Sequence, residues 1–307
     1  MILSVSRRTD IPGCYPEWFM NRLRDKYVMT RNPMNFHQVS QINLSPDFIE
    51  CIVFWTKNAV PFMDYLEELN RMGYMYMFQY TITPYDNTLE KNISDKSDII
   101  KNVLELSEKI EKKRIVWRYD PILLNDTYTV NRHIELFEEM CSLLYTAVNH
   151  VVISFIDLYQ KNRGYRLYEL STDEITHLAQ AFGEIGAKYK LPIKTCCENY
   201  DLTKFGITKG ACIDSVLLEE ICNRPLLLKK ATGQRKNCLC AESVDIGAYH
   251  TCLNGCIYCY ATDYKRLKTK QKCYDKNSQI LCDKLDFGKD IILSLIHISE
   301  PTRLRRI

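Results

Sequence analysis

Three cysteines close together in the chain carry its clearest chemical signal. Cys252, Cys256 and Cys259 have the spacing C-x3-C-x2-C, and Tyr258 directly precedes the last of them. Thiolates are soft ligands that bind iron–sulfur clusters and zinc. Three thiolates can hold three irons of a [4Fe–4S] cube and leave one iron open. Structural zinc takes four protein ligands, and the candidates for the fourth are Cys238, Cys240 and His250. We therefore expect a [4Fe–4S] cluster here, with zinc as the alternative.

A second group of cysteines indicates another site. Cys238 and Cys240 are separated by one residue, and Cys212 and either Cys196 or Cys197 precede them in the chain. If these four thiols meet in the fold, they can hold a second cluster or a zinc ion. The alternative interpretation is that Cys196 ends a buried strand and packs there.

The number and placement of the cysteines indicate in which cellular compartment the protein is expected. Seven of the fourteen lie between residues 222 and 273, and the N-terminal residues carry only a short apolar stretch. A disulfide framework suits short secreted chains, so metal ligation explains the dense group better. We expect a cytoplasmic protein without a membrane partner, because no apolar run approaches the roughly 20 residues of a membrane span. Cys14, Cys51 and Cys141 lie in apolar sequence and are predicted to be buried structural thiols.

The elements that must position these thiols are predicted from hydrophobic periodicity. Helical stripes follow Pro61 and cover residues 99–110 and 134–144, and Ser171 with Glu174 forms a capping box that opens a further helix. Strands that alternate with helices predict a parallel sheet with right-handed crossovers. The expected fold is an α/β protein with a (β/α) barrel, similar to a TIM barrel, or a partial barrel. The predicted strands are Ile2 to Val5, Cys51 to Trp55, Tyr74 to Ile82, Ile115 to Trp117, Val151 to Ile156 and Ile193 to Cys196.

Polar side chains follow the ends of these strands. In parallel α/β folds the carboxyl ends of the strands share one face, where ligands bind. The alternative without a function is that strand ends are polar because loops are exposed to solvent. The functional interpretation predicts a cofactor site made of four basic and three acidic residues, Arg7, Arg8, Lys57, Arg118, Asp10, Asp120 and Glu198.

Composition suggests how the chain is organised. It is 46% hydrophobic and 26% charged with a net charge of +3, which suits a globular protein and makes nucleic acid an improbable partner. We expect a barrel-like core over residues 1–199 and a Cys-rich segment over 200–290 packed on it. Residues 293–303 resemble a translated sequencing adapter and are excluded from the fold prediction. If they are an adapter, the natural sequence is interrupted near Asp290.

Several longer motifs carry a resemblance to a known family. The chain resembles the uncharacterised bacterial family called domain of unknown function 1848. That family has a C-terminal cysteine cluster similar to the N-terminal cluster of radical S-adenosylmethionine proteins, and it implies no established substrate. The motifs are Ser4 to Pro12, Phe54 to Asn58, Arg118 to Pro121, Gln234 to Cys240 and Asp245 to Ala261.

The resemblance to radical enzymes implies a specific cofactor. In that superfamily the open iron chelates the amino acid end of S-adenosylmethionine, and electron transfer from the cluster cleaves it to a 5′-deoxyadenosyl radical. It implies that the basic strand-end residues pair with the cofactor carboxylate and the acidic ones bind ribose hydroxyls or substrate. An electron donor and a small-molecule substrate are the partners expected.

The position of the motif near the C-terminus is unusual for that superfamily. Circular permutation of a barrel moves the first strand to the end of the chain and preserves the geometry. The next strand of the superfamily carries a Gly-Gly-Glu-like segment, and under permutation its counterpart here, Val5 to Asp10, lacks those glycines.

Two other functions stay open at this point. One is a non-enzymatic protein that binds zinc or a cluster through four closed ligands. The other is a nucleic-acid repair enzyme, because Cys259-Tyr-Ala261 is similar to the spore photoproduct lyase branch. Repair would require a basic groove with aromatic side chains near the cysteines.

Overall fold

A computed structural model describes residues 1–158, 162, 164–235 and 237–294 of the chain. Its main feature is a sheet of eight parallel strands, which confirms the predicted α/β class and the parallel pairing. In spatial order the strands are β10 (Val244–Asp245), β1 (Ile2–Val5), β4 (Cys51–Thr56), β5 (Tyr76–Thr81), β6 (Ile115–Ile122), β7 (Val151–Phe155), β8 (Ile193–Cys196) and β9 (Ile207–Gly210).

The helices follow the periodicity of the sequence where their apolar stripes are long. Ile99, Val103 and Leu106 all turn into the core on one helix, and the predicted capping box opens another. The stripe after Pro61 differs, because residues 60–65 form a 3₁₀ turn before the α-helix begins at Leu66. The helices are α1 (Ile11–Cys14), α2 (Pro16–Arg24), α3 (Leu66–Arg71), α4 (Lys96–Ile110), α5 (Val130–Leu144), α6 (Thr172–Tyr189), α7 (Ser215–Cys222) and α8 (Tyr264–Gln271).

The core lies between the sheet and the helices on its face. Trp117 of β6 stacks on Phe137 of α5, and Phe137 in turn stacks on Phe182 of α6 with ring centroids 3.8 Å apart. All three side chains are fully buried. Truncating such an aromatic to alanine costs about 3–5 kcal/mol, so this stack fixes two helices against the central strands.

The sequence analysis did not predict a second, smaller sheet. It contains β2 (Tyr27–Arg31), β3 (Gln38–Asn43) and β11 (Ile291–Ser294); β2 and β3 pair antiparallel, and β11 runs parallel to β3. Its strands are short, and β3 is rich in polar residues, which hides its period. The first two residues of the predicted adapter lie in β11, and the remainder of residues 293–303 lies outside the described part of the chain.

The Cys-rich segment over residues 200–290 contributes strands as well as loops. It supplies β9 at one edge of the large sheet and β10 at the other. Leu3 pairs with Val244 and Ser4 with Asp245, so a strand late in the sequence lies parallel to the first one.

None of the helices within the described ranges is both long and apolar enough to cross a bilayer.

Candidate functional site

One cavity of about 720 Å³ opens at the carboxyl ends of the parallel strands. Its volume falls in the range of roughly 300–1,000 Å³ usual for small-molecule sites. Apart from His250, every residue that sequence analysis proposed for cofactor or metal binding lines its wall. They are Arg7, Arg8, Asp10, Lys57, Arg118, Asp120, Glu198, Cys196, Cys197, Cys212, Cys238, Cys240, Cys252, Cys256 and Cys259.

The loop with Cys252, Cys256 and Cys259, here called the cysteine loop (residues 246–261), leaves β10 and passes beside β1. Asp245 fixes this junction, because its carboxylate accepts hydrogen bonds from Ser4 Oγ at 2.8 Å, Ser6 Oγ at 2.7 Å and the Arg7 amide at 2.9 Å. The chain then approaches β1 so closely that a Cβ at Gly247 would lie 1.9 Å from Ser6 Oγ. Only glycine fits at that position.

The other side of the cysteine loop rests on the segment after β5. Asn92 donates from its amide to Asn254 O at 3.1 Å and from Nδ2 to Leu253 O at 2.6 Å, and the Ile257 amide donates to Leu89 O at 3.0 Å. Gly255 turns the loop between the first two cysteines with φ of 75°, a conformation that favours glycine. These bonds hold the loop from both sides.

The three thiols open onto the cavity and are half-buried. A hydrogen bond with the Cys14 thiol and then burial raise the pKa of Cys252, and burial raises the pKa of Cys256 although the Lys57 ammonium opposes it. The Ala261 amide lies 3.3 Å from Cys259 Sγ. Metal binding would have to displace these thiol protons. Thiolates suit an iron–sulfur core, so the donor set fits the expected group.

Within the described ranges, no three side chains of His, Cys, Asp or Glu converge on a point that would hold a single metal ion. A cube places its ligands on separate irons and therefore further apart than the ligands of one ion. The candidate fourth zinc ligand, His250, is engaged elsewhere, because its Nδ1 accepts from the Asp263 amide at 3.0 Å.

Cys14 is less buried than its sequence context indicated. Its side chain is half-buried at the end of α1, and its thiol hydrogen bonds to Cys252. Sequence analysis predicted a buried thiol, which is correct for Cys51 and Cys141, whereas Cys14 is partly buried and packs against the core. The error arises because the apolar neighbours of Cys14 pack inward while its own side chain turns towards the cysteine loop.

A buried carboxylate, Glu90, braces the cysteine loop at Tyr258. Glu90 Oε1 accepts from the Tyr258 hydroxyl, from Lys57 Nζ at 2.7 Å and from Thr83 Oγ1 at 2.6 Å, and Oε2 accepts from Lys96 Nζ at 2.6 Å. Burial alone would raise the pKa of Glu90, but the two ammonium groups outweigh it and lower the pKa to about 2. Glu90 is therefore ionised at neutral pH.

Asp10 joins two strand ends to the cysteine loop. The Asp10 carboxylate accepts at 2.8 Å from each of the Gly13 amide, the Lys57 amide and Asn254 Nδ2. Burial raises the pKa of Asp10, although these hydrogen bonds act to lower it. Asp10 thus fastens β1, β4 and the cysteine loop to one another at the rim of the cavity.

Arg118 and Asp120 form a buried ion pair at the end of β6. Burial disfavours the charged form of both side chains, but the attraction between the two charges is stronger. The pKa of Arg118 is therefore raised and that of Asp120 is lowered. Ser154 also donates to Asp120. The second Arg118 nitrogen, Nη1, donates to Cys212 Sγ at 3.1 Å, which connects this pair to the other group of cysteines.

Two arginines remain available for an anionic ligand. Arg7 lies over the Trp55 ring at 5.1 Å and Arg8 over the Tyr249 ring at 5.2 Å. Neither forms an ion pair with a carboxylate in the described part of the chain; their polar partners are Ser243 Oγ at 3.4 Å and Gly247 O at 3.3 Å. Such weakly bonded guanidinium groups suit carboxylate recognition.

Glu198 has a different environment. Burial, followed by the charges of Asp120 and Asp157, raises the pKa of Glu198 to about 7. Its Oε1 accepts from the Phe155 amide at 2.9 Å. A carboxyl with this pKa inside a cavity can both accept and donate a proton near neutral pH.

The four cysteines of the second group also meet at the cavity wall. Cys196 Sγ lies 2.6 Å from Cys212 Sγ, and the Cys240 thiol hydrogen bonds to those of Cys212 and Cys238. The widest separation among them in sequence, between Cys196 and Cys240, is 44 positions. The structure therefore joins the members that sequence analysis grouped.

Sequence analysis missed Asp245, Glu90 and Trp55 as site residues. Asp245 had a usable signal, since it is the first residue of the family motif Asp245 to Ala261. Glu90 had none, because it lies in a polar loop whose partners come from four separate parts of the chain. Only the fold shows that its carboxylate is buried.

Comparisons with known proteins add a family. The family model described as "Domain of unknown function (DUF1848)" matches residues 2–261. No curated protein matches the chain. Solved structures that match include a putative alpha-L-fucosidase from Bacteroides thetaiotaomicron VPI-5482, which is 13% identical over 59% of this chain and 86% of that chain, with a TM-score of 0.23. A likeness of that size supports no statement about fold or activity.

Proposed function

Since the chain belongs to the family described as Domain of unknown function (DUF1848), which implies no reaction, we propose a function from the site itself. The proposal is an iron–sulfur enzyme of the radical S-adenosylmethionine type, with a [4Fe–4S] cluster on Cys252, Cys256 and Cys259. One observation carries it. The cysteine loop follows β10, β10 lies parallel to β1, and the three thiols open onto the cavity at the strand ends.

The strand order supports the permuted arrangement expected from the sequence. In spatial order β10 precedes β1, although it follows every other strand of the large sheet in sequence. A barrel-like sheet whose first strand has moved to the end of the chain would show this order. Asp245 and Cys212 both line the one cavity although they belong to opposite edges, so the sheet is curved. This curvature agrees with a partial barrel.

The residues around the cavity suit the amino acid end of S-adenosylmethionine. Arg7 and Arg8 offer guanidinium groups to a carboxylate, in place of the glycine-rich segment that the superfamily uses on this strand. Trp55 offers an apolar ring beside them, and Glu198 offers a hydrogen-bond acceptor for a ribose hydroxyl or substrate. Asp10 and Lys57 act mainly as positioning residues, because their polar atoms are already bound by the protein.

When bound, the cluster would supply the electron that cleaves S-adenosylmethionine to methionine and the 5′-deoxyadenosyl radical. The chain itself would orient the cofactor and substrate and keep water from them. Glu90 keeps Tyr258 and the cysteine loop in place, and Glu198 is the group in the wall best suited to move a proton.

The proposal is tested by anaerobic reconstitution with iron and sulfide, followed by electron paramagnetic resonance of the reduced protein with and without S-adenosylmethionine. We expect a [4Fe–4S]⁺ signal that changes when S-adenosylmethionine is added. The triple variant C252A/C256A/C259A should lose about four irons per chain. The variant C222A/C273A, two half-buried cysteines outside the cavity wall, is the matched control. Iron and sulfide retained in full by the triple variant would refute the assignment.

The position of Cys14 favours a second candidate function. Its thiol beside Cys252 is a fourth sulfur at the motif, which would close the site as in a structural or electron-transfer centre. A closed centre leaves no iron for S-adenosylmethionine. A cluster signal that ignores S-adenosylmethionine, or one zinc per chain without a cluster, would support this candidate over the radical enzyme.

A further inference from the structure

Four thiols outside the cysteine loop form a continuous chain of contacts. Cys196 and Cys212 touch with their sulfurs 2.6 Å apart, Cys212 hydrogen bonds to Cys240, and Cys240 hydrogen bonds to Cys238. All four line the cavity. Cysteines that serve only as small apolar side chains have no reason to gather, so this grouping calls for a chemical explanation.

The backbone holds these thiols firmly. Cys196 ends β8 and pairs with Gly210 of β9, which brings Cys212 to the same side of the sheet edge. The strand-like segment with Cys240 is fixed on both sides, because the Ala241 amide donates to Ile213 O and the Ala231 amide donates to Cys240 O, each at 2.9 Å. Cys196 thus lies in a strand, Cys212 follows the neighbouring strand and Cys240 belongs to a paired segment, which favours a built site over a chance contact.

A positive charge stands next to the group. Arg118 Nη1 donates to Cys212 Sγ at 3.1 Å, while its other end pairs with Asp120. Four thiolates around a dication or a cluster core carry a net negative charge, and a hydrogen bond to a ligating sulfur is a usual way to stabilise it. Arg118 is buried and can supply both the charge and the hydrogen bond.

We propose that Cys196, Cys212, Cys238 and Cys240 form a second, closed metal centre with four thiolate ligands. Its occupant is a soft metal, either an iron–sulfur cluster or a zinc ion. In the described part of the chain, three ligand atoms do not converge on one point, so metal binding requires the side chains to rotate about their Cα–Cβ bonds. The centre is separate from the cysteine loop and does not depend on the function proposed for it.

The test compares two double variants of the full chain. C238S/C240S removes two proposed ligands, and C222S/C273S removes two half-buried cysteines that do not line the cavity. Each protein is reconstituted anaerobically with iron, sulfide and zinc, and the bound iron, acid-labile sulfide and zinc are measured. We expect C238S/C240S to bind about four fewer irons than the control if the occupant is a cluster, or about one fewer zinc if it is zinc.

Equal metal and sulfide contents in both double variants would overturn the proposal. Because C238S/C240S could fold poorly, alkylation of the metal-loaded wild-type protein gives an independent measurement. The peptide with Cys238 and Cys240 should resist alkylation until a chelator and denaturant are added, whereas Cys273 should react at once. Rapid alkylation of Cys238 and Cys240 in protein that retains all its metal would also refute the centre. The triple variant of the cysteine loop should still load this site, so the two assignments can fail separately.

Discussion

At the scale of single residues, the environment of Glu90 sets how firmly the cysteine loop is held. Its carboxylate is 1% exposed and touches two ammonium groups, a threonine hydroxyl and the Tyr258 hydroxyl. Removing one member of a buried charge network leaves the others without compensation, which costs more than the network contributes as a whole. We therefore expect a substitution that removes the charge of Glu90 to destabilise the fold strongly.

We expect Glu90→Gln to lower the free energy of unfolding by about 3 kcal/mol or more, because Lys57 and Lys96 would keep their charges without a counterion. Urea unfolding at neutral pH measures the change. The matched control is Glu105→Gln on the exposed face of α4, which should change stability by less than about 0.5 kcal/mol. Equal stability of the two variants would show that the network is not important for folding.

A second residue, His133, makes stability depend on pH. It is fully buried, with Nδ1 2.7 Å from the Tyr119 hydroxyl and Nε2 2.8 Å from Leu123 O. Burial lowers the pKa of His133 to about 4, whereas the unfolded chain binds this proton below about 6.5. Protonation therefore favours the unfolded state, and stability is lost as the pH falls from about 6.5 towards 4.

His133→Gln should remove this part of the pH dependence. Between pH 7 and pH 4 the variant should lose about 3 kcal/mol less stability than the wild-type protein, because it has no imidazole to protonate. Urea unfolding at several pH values gives the slope of the free energy of unfolding against pH. This slope is not affected by any loss of stability that the substitution causes equally at every pH. His177→Gln on an exposed helix position is the control and should keep the wild-type slope. Parallel curves for His133→Gln and wild type would contradict the expected neutral imidazole.

At the scale of elements, β10 is the weakest strand and has the largest consequence for the site. It contains two residues and pairs with a single neighbour, so its backbone bonds alone would not hold the cysteine loop. The Asp245 side chain compensates with four hydrogen bonds, from two serine hydroxyls and two backbone amides. A hydrogen bond to a charged group contributes about 1.5–3 kcal/mol.

Asp245→Ala should therefore loosen residues 244–261 without unfolding the molecule. We expect amide hydrogen exchange in that segment to accelerate by about tenfold or more, with smaller changes in β5 and β6. Asp263→Ala is the control, because Asp263 caps α8 through the Lys265 and Arg266 amides and should affect that helix only. Unchanged exchange over 244–261 would show that the loop is held by its outer contacts with residues 89–92 instead.

Elements differ in how well the sequence predicted them. The central strands and α4, α5 and α6 were predicted because each buries a long apolar stripe, as Ile99 and Phe137 illustrate. Strands β9 and β10 were missed, because β9 contains a single apolar residue, Ile207, and β10 has only two residues. The proximity of Cys14 to Cys252 also left no local signature, since 238 positions separate the two thiols.

At the scale of the whole molecule, the cavity depends on both edges of the large sheet. The cysteine loop follows β10 at one edge, and Cys212 follows β9 at the other. The sequence could predict that polar strand ends share a face, because parallel pairing imposes it. It could not predict that the sheet curves enough for both edges to reach one cavity, since curvature arises from packing across the entire core.

The pairing of β1 with β10 also has a consequence for biosynthesis. Leu3 and Val244 are 241 positions apart, and ribosomes add about 5–20 residues per second, so the first strand waits on the order of tens of seconds for its partner. During that interval the ribosome-bound chain would expose one unpaired side of β1, a surface open to chaperones or to wrong pairing. The three thiols of the cysteine loop emerge last among the parts of the cavity, so delivery of a cluster would be one of the final steps of maturation.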